Sequence, residues 1–215
     1  MTIGEIILAV GQGLGVTIGI TVAAMILSAL IGFVVAMLSI SRFRGVRVLS
    51  YGYIQVFRGI PALAQLFIIY FGLTRMGIRL DSFTSAVIGL STGGGAIVAE
   101  TLRAGLAAVP AGQMEAAVAL GSTRFQAVRL IILPQAAPLV LAPLSDFFVT
   151  LMKVTAVASA VAAPEITFQA KLVAQNSLQS TEAYLVLAAI YLAMGLPLVV
   201  FLDRLETRRK DRRRL

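Results

Sequence analysis

The stretch Pro110-Ala-Gly-Gln-Met-Glu115-Ala-Ala-Val-Ala-Leu-Gly121, continuing through Ser122-Thr-Arg124-Phe-Gln-Ala-Val-Arg129-Leu-Ile-Ile-Leu-Pro134 to Pro138, decides how this chain is read. It is the one long polar-containing segment between strongly apolar blocks that itself reads as a helix. Pro110 suits the first helical turn, where its missing N–H is no loss. Ala116, Ala117 and Ala119 favour helix, and Gly121 breaks or bends it. The expected product is a short helix, a turn, and a basic segment (Arg124, Arg129) leading back into an apolar run. A short rigid helix at a membrane surface is a suitable lever for a partner subunit. An ordinary amphipathic interfacial helix is the other reading of the same residues.

The 215-residue chain is 59% hydrophobic and only 13% charged, with a mean hydropathy of +0.93. A soluble domain of this length has too little interior to hide that much apolar surface, so the composition points to a membrane protein. Cysteine and histidine are both absent, which excludes disulfides and thiolate metal sites and removes the usual general base. The net charge of +8 sits at the edges of apolar blocks rather than on an aromatic-studded polar face. That distribution argues against nucleic acid as a partner. A membrane-embedded enzyme would need paired carboxylates or a histidine-rich site at one depth, and Asp146 is the only deep carboxylate. The first residues, Met1 to Glu5, carry no basic n-region, so no signal peptide is expected.

From Ile6 to Ser41 no residue is charged, enough for one crossing with a tilted or interfacial lead-in. Gly11, Gly13, Gly15 and Gly19 crowd its first half and predict close helix packing. A second block, Val48 to Thr74, is interrupted by Arg58-Gly-Ile-Pro61. A third, Ser82 to Ala99, carries Gly93-Gly-Gly95 and ends at Glu100 and Arg103. The fourth, Leu130 to Pro164, would be roughly 50 Å long as one helix, more than a roughly 30 Å hydrocarbon core needs. With Pro134, Pro138 and Pro143 inside it, its start is expected to lie at the interface and its true span to begin near Pro138. A polar loop from Glu165 to Glu182 then leads to a fifth block, Ala183 to Leu202. The expectation is a single domain over 1–215, with spans at about 12–40, 51–73, 83–103, 138–160 and 183–203 and the docking loop at about 110–129.

Five crossings put the termini on opposite sides, and lysine and arginine decide which. One side collects Arg42, Arg44, Arg47, Arg103, Arg124, Arg129 and the seven basic residues from Arg204 onward; the other has only Arg75, Arg79 and Lys171. The N-terminus is therefore expected outside, with the docking loop and the tail cytoplasmic. The tail reads as an electrostatic anchor on anionic lipid, with a specific partner contact as the alternative.

Glu115-Ala116-Ala117, three residues, Gly121, nine residues, then Ile131-x-Leu133-Pro134 resembles the cytoplasmic coupling loop of ABC importer permeases. Tyr53-Ile-Gln-Val-Phe-Arg-Gly-Ile-Pro61 with Gln65-Leu-Phe-Ile-Ile-Tyr-Phe-Gly72 resembles the second span of polar amino-acid permeases of the histidine, glutamine and arginine type. The segments Ala99-Glu100-Thr-Leu-Arg103-Ala-Gly105, Val109-Pro-Ala-Gly-Gln113, Pro143-Leu-Ser-Asp146, Lys153-Val-Thr155 and Leu205-Glu206 extend the likeness from about Gly11 to Glu206. The loop motif is specific for ABC importer permeases generally, and the Phe-Arg-Gly-x-Pro block narrows it to the amino-acid group. Three departures stand out: Asp146 where the family usually has asparagine, Ile97 for an aromatic, and Ala156 for a serine. The first bears on which substrate is carried.

The resemblance implies an all-α, type I importer permease fold of five transmembrane helices and a short cytoplasmic coupling helix, in a bacterial plasma membrane. It implies two ATPase subunits, a second permease (a copy or a relative), an external solute-binding protein, and an amino acid carried inward. A different small polar solute, or a channel or scaffold subunit working without ATP, are the alternatives. No Gly-rich phosphate loop with its lysine exists here, so no cofactor is expected in this chain; ATP and magnesium would be held by the partner ATPase.

Glu115, Ala116, Ala117, Gly121 and Arg124 are assigned to ATPase coupling. Asp146, Thr150 and Lys153 stand at i, i+4 and i+7, one stripe on a helix, and are expected to line the substrate pathway. A carboxylate, a hydroxyl and an ammonium suit a zwitterion and mildly favour a cationic side chain; mutual neutralisation, or pairing with Arg58, is the rival. Arg58 reads as a salt bridge or backbone-carbonyl clamp beside Pro61, or as a gate. Glu100 and Arg103, one turn apart, are expected to pair locally, with gating as the alternative. Gln65 and Tyr70 read as packing residues, and Glu165 and Glu182 as solvated, with receiving the binding protein as the alternative.

Overall fold

A computed structural model describes residues 1–211, with side chains through residue 202 and at Arg204. The remaining basic side chains of the tail, and Leu205 and Glu206, lie outside that description. Every regular element among the described residues is helical. Four stretches are long and apolar enough to cross a membrane, Ile3–Ser39, Ser82–Ala107, Arg124–Val161 and Ser180–Leu202, and a bent pair of helices gives a fifth when counted as one span.

The first stretch is two helices. In α1 (Ile3–Gly11) Thr2 and Glu5 form a capping box, which satisfies two orphan N–H groups. α2 (Leu14–Ser39) follows after a break at Gln12 and Gly13. Of the crowded glycines, Gly13 is the one that a close approach demands, since a β-carbon there would overlap the backbone of Glu165 and Ile166. Gly11 and Gly15 meet nothing nearer than 3.9 Å, so packing does not account for them.

The second span is broken at its proline. α3 (Arg44–Gly59) ends one residue before Ile60, whose φ of −92° and ψ of 127° put it in the extended region, as a residue preceding proline requires. α4 (Ala62–Phe67) starts after Pro61 and runs through a π turn (Ile68–Gly72) into α5 (Leu73–Arg75). The axes on either side of the break differ by 105°.

α6 (Ser82–Ala107), capped by Asp81, is the centre of the bundle. Its glycine run packs against α2: a β-carbon on Gly94 would overlap the Ser28 hydroxyl, and one on Gly95 would lie 2.5 Å from Ile31. Lipid tails are as apolar as leucine, so span association depends on such close packing rather than on the hydrophobic effect. Ile20, Ala24, Leu66, Leu90, Val98 and Leu151 form the core at this contact.

α7 (Ala111–Ala119) and α8 (Arg124–Ala127) form the segment between the third and fourth spans. α8 passes through a π turn (Val128–Ile132) into α9 (Leu133–Val154) and a 3-10 turn (Thr155–Val161). The helical path thus begins at Arg124, and the stretch before Pro138, expected at the interface, is itself helical. Its 38 residues extend roughly 57 Å. Pro134 stands two residues past the π turn, and a local π adjustment of this kind accommodates the i→i−4 hydrogen bond that an interior proline removes.

The expected polar loop from Glu165 to Glu182 is instead largely helix: α10 (Ile166–Ser177) precedes α11 (Ser180–Asp211). Ile166, Ala170, Val173 and Ala174 recur on one face of α10 and bury against α1 and α11. Glu165, expected in solvent, is 0% exposed; it caps α10 by accepting N–H groups from Thr167 (2.9 Å) and Phe168 (2.7 Å).

Candidate functional site

The docking loop is built from local chain chemistry. Beyond α7 the Gly121 N–H donates to Val118 O and the Ser122 N–H to Ala117 O, each at 3.0 Å. This double closure is a Schellman motif, which needs a left-handed residue after the helix. Gly121 supplies it with φ +85°. Thr123 then opens α8 with a capping box to Gln126, and Arg124 is its first residue, exposed. Glu115 and Ala116 are exposed while Ala117 is buried. The loop is held to the bundle by Val109, Met114, Ile131, Ile132 and Ala136, and by Gln135 Nε2 donating to Gln113 Oε1 at 3.3 Å. Two large apolar side chains stand out from it: Leu120 is 87% and Phe125 72% exposed.

A cavity of about 340 Å³ opens where the second span breaks. Phe57, Arg58, Ile60, Ala62 and Gln65 wall one side; Gly89, Leu90, Gly93, Gly94 and Ile97 of α6 wall another; Phe147, Thr150, Leu151 and Val154 of α9 close it. One side chain, Gln65, bridges the break directly. Gln65 Nε2 donates to Phe57 O and to Ile60 O, both at 2.8 Å, and Gln65 Oε1 accepts from Thr92 Oγ1 at 3.1 Å. Tyr53 adds a second tie by donating to Thr92 O at 2.6 Å. The carbonyl clamp beside Pro61 is therefore Gln65, where the sequence reading gave Arg58 that option. Gly93 leaves room for it, since a β-carbon there would lie 2.9 Å from Gln65 Oε1.

The Asp146–Thr150–Lys153 stripe meets the cavity only at its edge. Thr150 lines the cavity, and Asp146 and Lys153 do not. On a helix the lining set Phe147, Thr150, Leu151 and Val154 is centred roughly a quarter-turn from the stripe. All three stripe residues are exposed on this single chain. Among the described residues the one ion pair is Arg103 with Glu100, so Asp146, Lys153 and Arg58 do not neutralise one another. Arg103 engages both carboxylate oxygens of Glu100 and lies 5.7 Å from the Tyr51 ring centre. Arg58 is near enough to attract Glu100 electrostatically but forms no ion pair with it.

Outside the spans two carboxylates are perturbed. Burial pushes the Glu165 carboxyl up from its ordinary value, against the backbone N–H groups of Thr167 and Phe168 and the Lys171 charge. The Thr84 hydroxyl and N–H hold Asp81 below its ordinary value. No cluster of acidic residues suited to a metal occurs among the described residues.

Residues 15–211 match the family model described as "Binding-protein-dependent transport system inner membrane component". The chain belongs to that family. It is 37% identical over 188 residues to the probable glutamine ABC transporter permease protein GlnM of Bacillus subtilis, covering 87% of each chain. It is 32% identical to the arginine transport system permease protein ArtQ of the same organism, covering 93% of this chain and 92% of that one. Among solved structures, one described as an amino acid ABC transporter with histidines superposes with a TM-score of 0.89 at 35% identity, covering 93% of this chain and 94% of that one.

In this permease the Glu115–Gly121 segment lies on α7 and the turn beyond it, and Arg124 alone of the loop residues singled out stands on the helical path that walls the cavity. α9 walls the cavity and continues without interruption back to Arg124 at the docking loop. Sequence reasoning left out Leu120 and Phe125, whose signal is two large apolar residues flanking Gly121-Ser-Thr-Arg124 in an otherwise polar loop. It also read Gln65 as packing. An amide in the first turn after a proline break was the available sign, because such a break frees carbonyls that need a donor.

Proposed function

We propose that this permease carries a polar or charged amino acid inward through a bacterial plasma membrane, driven by ATP hydrolysis in two partner ATPase subunits that dock on α7 and α8. The observation that carries the reading is the docking loop itself. Glu115 is exposed on the same loop as Leu120 and Phe125, two large apolar side chains that this chain leaves uncovered. Exposed large apolar side chains on one loop with Glu115 and Arg124 support a protein contact there. In this reading Ala116 and Ala117 let the helix seat deeply, Glu115 meets a basic group on the ATPase, and Gly121 sets the angle between α7 and α8. ATP and magnesium are held by the partner. An external binding protein delivers the substrate, and the N-terminus is external, as the lysine and arginine asymmetry supports.

The substrate class is taken from the relatives named for glutamine and arginine transport. A second permease, a copy or a relative, covers the exposed Asp146–Thr150–Lys153 stripe. An ionisable residue facing lipid would cost a few kcal/mol, and a shared path between two subunits removes that cost. Glu100 and Arg103 stay paired at the cytoplasmic end.

The test is Glu115→Lys and Gly121→Asp in the assembled importer. Both are expected to leave insertion intact while separating ATP hydrolysis from uptake. Wild-type uptake in both, with unchanged ATPase association, would refute the assignment.

A further inference from the structure

The cavity at the break of the second span has one charged wall. Arg58 lines it, and no aspartate or glutamate does. Among the described residues Arg58 makes no ion pair and no hydrogen bond. Glu100, the acid near enough to attract it, already has both oxygens on Arg103. Arg58 stands at the end of α3, beside the break of the bent helix pair, and an unpaired guanidinium in a membrane-spanning segment is costly and usually marks a pathway. It also presents a planar fork of N–H donors whose geometry matches a carboxylate.

The remaining polar walls are neutral. Gln65 has committed its Nε2 donors to the two carbonyls of the break. Its Oε1 accepts one hydrogen bond, from Thr92, and a carbonyl oxygen has a second lone pair. The Thr150 hydroxyl makes no hydrogen bond among the described residues. These two oxygens are acceptors for an α-ammonium group. Beyond them the walls are Phe57, Ile60, Leu90, Phe147, Leu151 and Val154, which offer a cationic side chain nothing to pair with.

We propose that Arg58 binds the α-carboxylate of the transported amino acid, and that this cavity takes amino acids with an uncharged side chain in preference to cationic ones. The inference rests on reading the chain as an amino-acid permease. It assigns the carboxylate to Arg58 rather than Lys153, and it reverses the cationic preference that Asp146 alone would favour.

The experiment is equilibrium binding to the importer complex purified through this chain in detergent, without the binding protein, so that only the membrane site is read. The probes are L-glutamine, L-arginine, and a neutral amino acid with its α-carboxylate converted to the amide. L-glutamine is expected to bind more tightly than L-arginine, and blocking the carboxylate should weaken binding about ten- to a hundred-fold, as loss of a charge-assisted hydrogen-bond pair does. Arg58→Gln should show the same weakening for L-glutamine but no further loss for the amide, with Arg58→Lys intermediate. Equal binding of the free acid and the amide by wild type overturns the proposal even if Arg58→Gln fails to assemble. Tighter binding of L-arginine than L-glutamine overturns the side-chain preference. If the complete importer, with its binding protein, takes up no amino acid at all, the functional reading itself fails and the proposal with it; uptake with equal binding of acid and amide sinks the proposal alone.

Discussion

At Glu165 burial and hydrogen bonding pull in opposite directions. The side chain is 0% exposed, which disfavours its charge, while two backbone N–H groups and Lys171 favour it. Burial prevails and the pKa lies above the ordinary 4.5. The sign of the linkage follows: the folded state holds the proton more tightly than the unfolded chain. Stability from this group is complete below 4.5 and declines as pH rises through the raised value. Glu165→Gln keeps an acceptor for the cap and removes the titration. Thermal unfolding of the variant should therefore lose part of its pH dependence above 4.5; an unchanged slope would mean that other groups set it. Gln65 is a second residue whose removal leaves partners stranded. In Gln65→Leu the carbonyls of Phe57 and Ile60 lose their shared donor, at a cost on the order of 2 kcal/mol or more. A lower unfolding temperature is expected, and wild-type stability would show that the break holds itself.

The docking loop and the Gly94 contact show two different uses of glycine at the scale of an element. A β-carbon on Gly121 would meet nothing within 4 Å, so substitution there is strained by backbone alone. Gly121→Ala should cost about 1–2 kcal/mol, and Gly121→Asn less, because asparagine tolerates the left-handed region. The measurable order is in coupled uptake: glycine, then asparagine, then alanine, with equal uptake by all three counting against a conformational role. Gly94 has the reverse problem. Gly94→Ala meets Ser28 and Phe147, and overpacking of this kind costs about 1–3 kcal/mol. Adding Ser28→Gly should restore part of the lost unfolding temperature, which a general effect of alanine on α6 would not.

α7 was legible because proline, alanine and glycine each act locally, at the start, body and end of one short helix. The Schellman closure is the structural form of the Gly121 signal. The prolines of the fourth span do not end its helix, because breaker chemistry is local and the π turn at Val128–Ile132 lets the helix continue past it. α10 was hidden because its apolar face alternates with Thr167, Gln169, Lys171 and Gln175, so composition reads as loop although the period is helical. The cavity was not legible at all. Its walls come from α3, α4, α6 and α9, and no spacing within one segment brings Arg58, Gly93 and Thr150 together.

At the scale of the whole molecule, one chain does not cover its own charged stripe. Asp146 and Lys153 are both exposed on α9, in a helix whose neighbours on that path are apolar. If lipid lay against them, replacing both by apolar residues would relieve a cost of a few kcal/mol and raise stability. If a second permease lies against them, the same change removes polar groups that face its partner or the shared path. We expect Asp146→Leu with Lys153→Leu to lower the fraction of permease pairs recovered by gentle extraction and crosslinking, and to abolish uptake. Asp146→Asn, which restores the residue usual in the family, should leave pairing intact. A double variant that is more stable, pairs as wild type and still transports would place the stripe against lipid and leave the pairing surface elsewhere on the bundle.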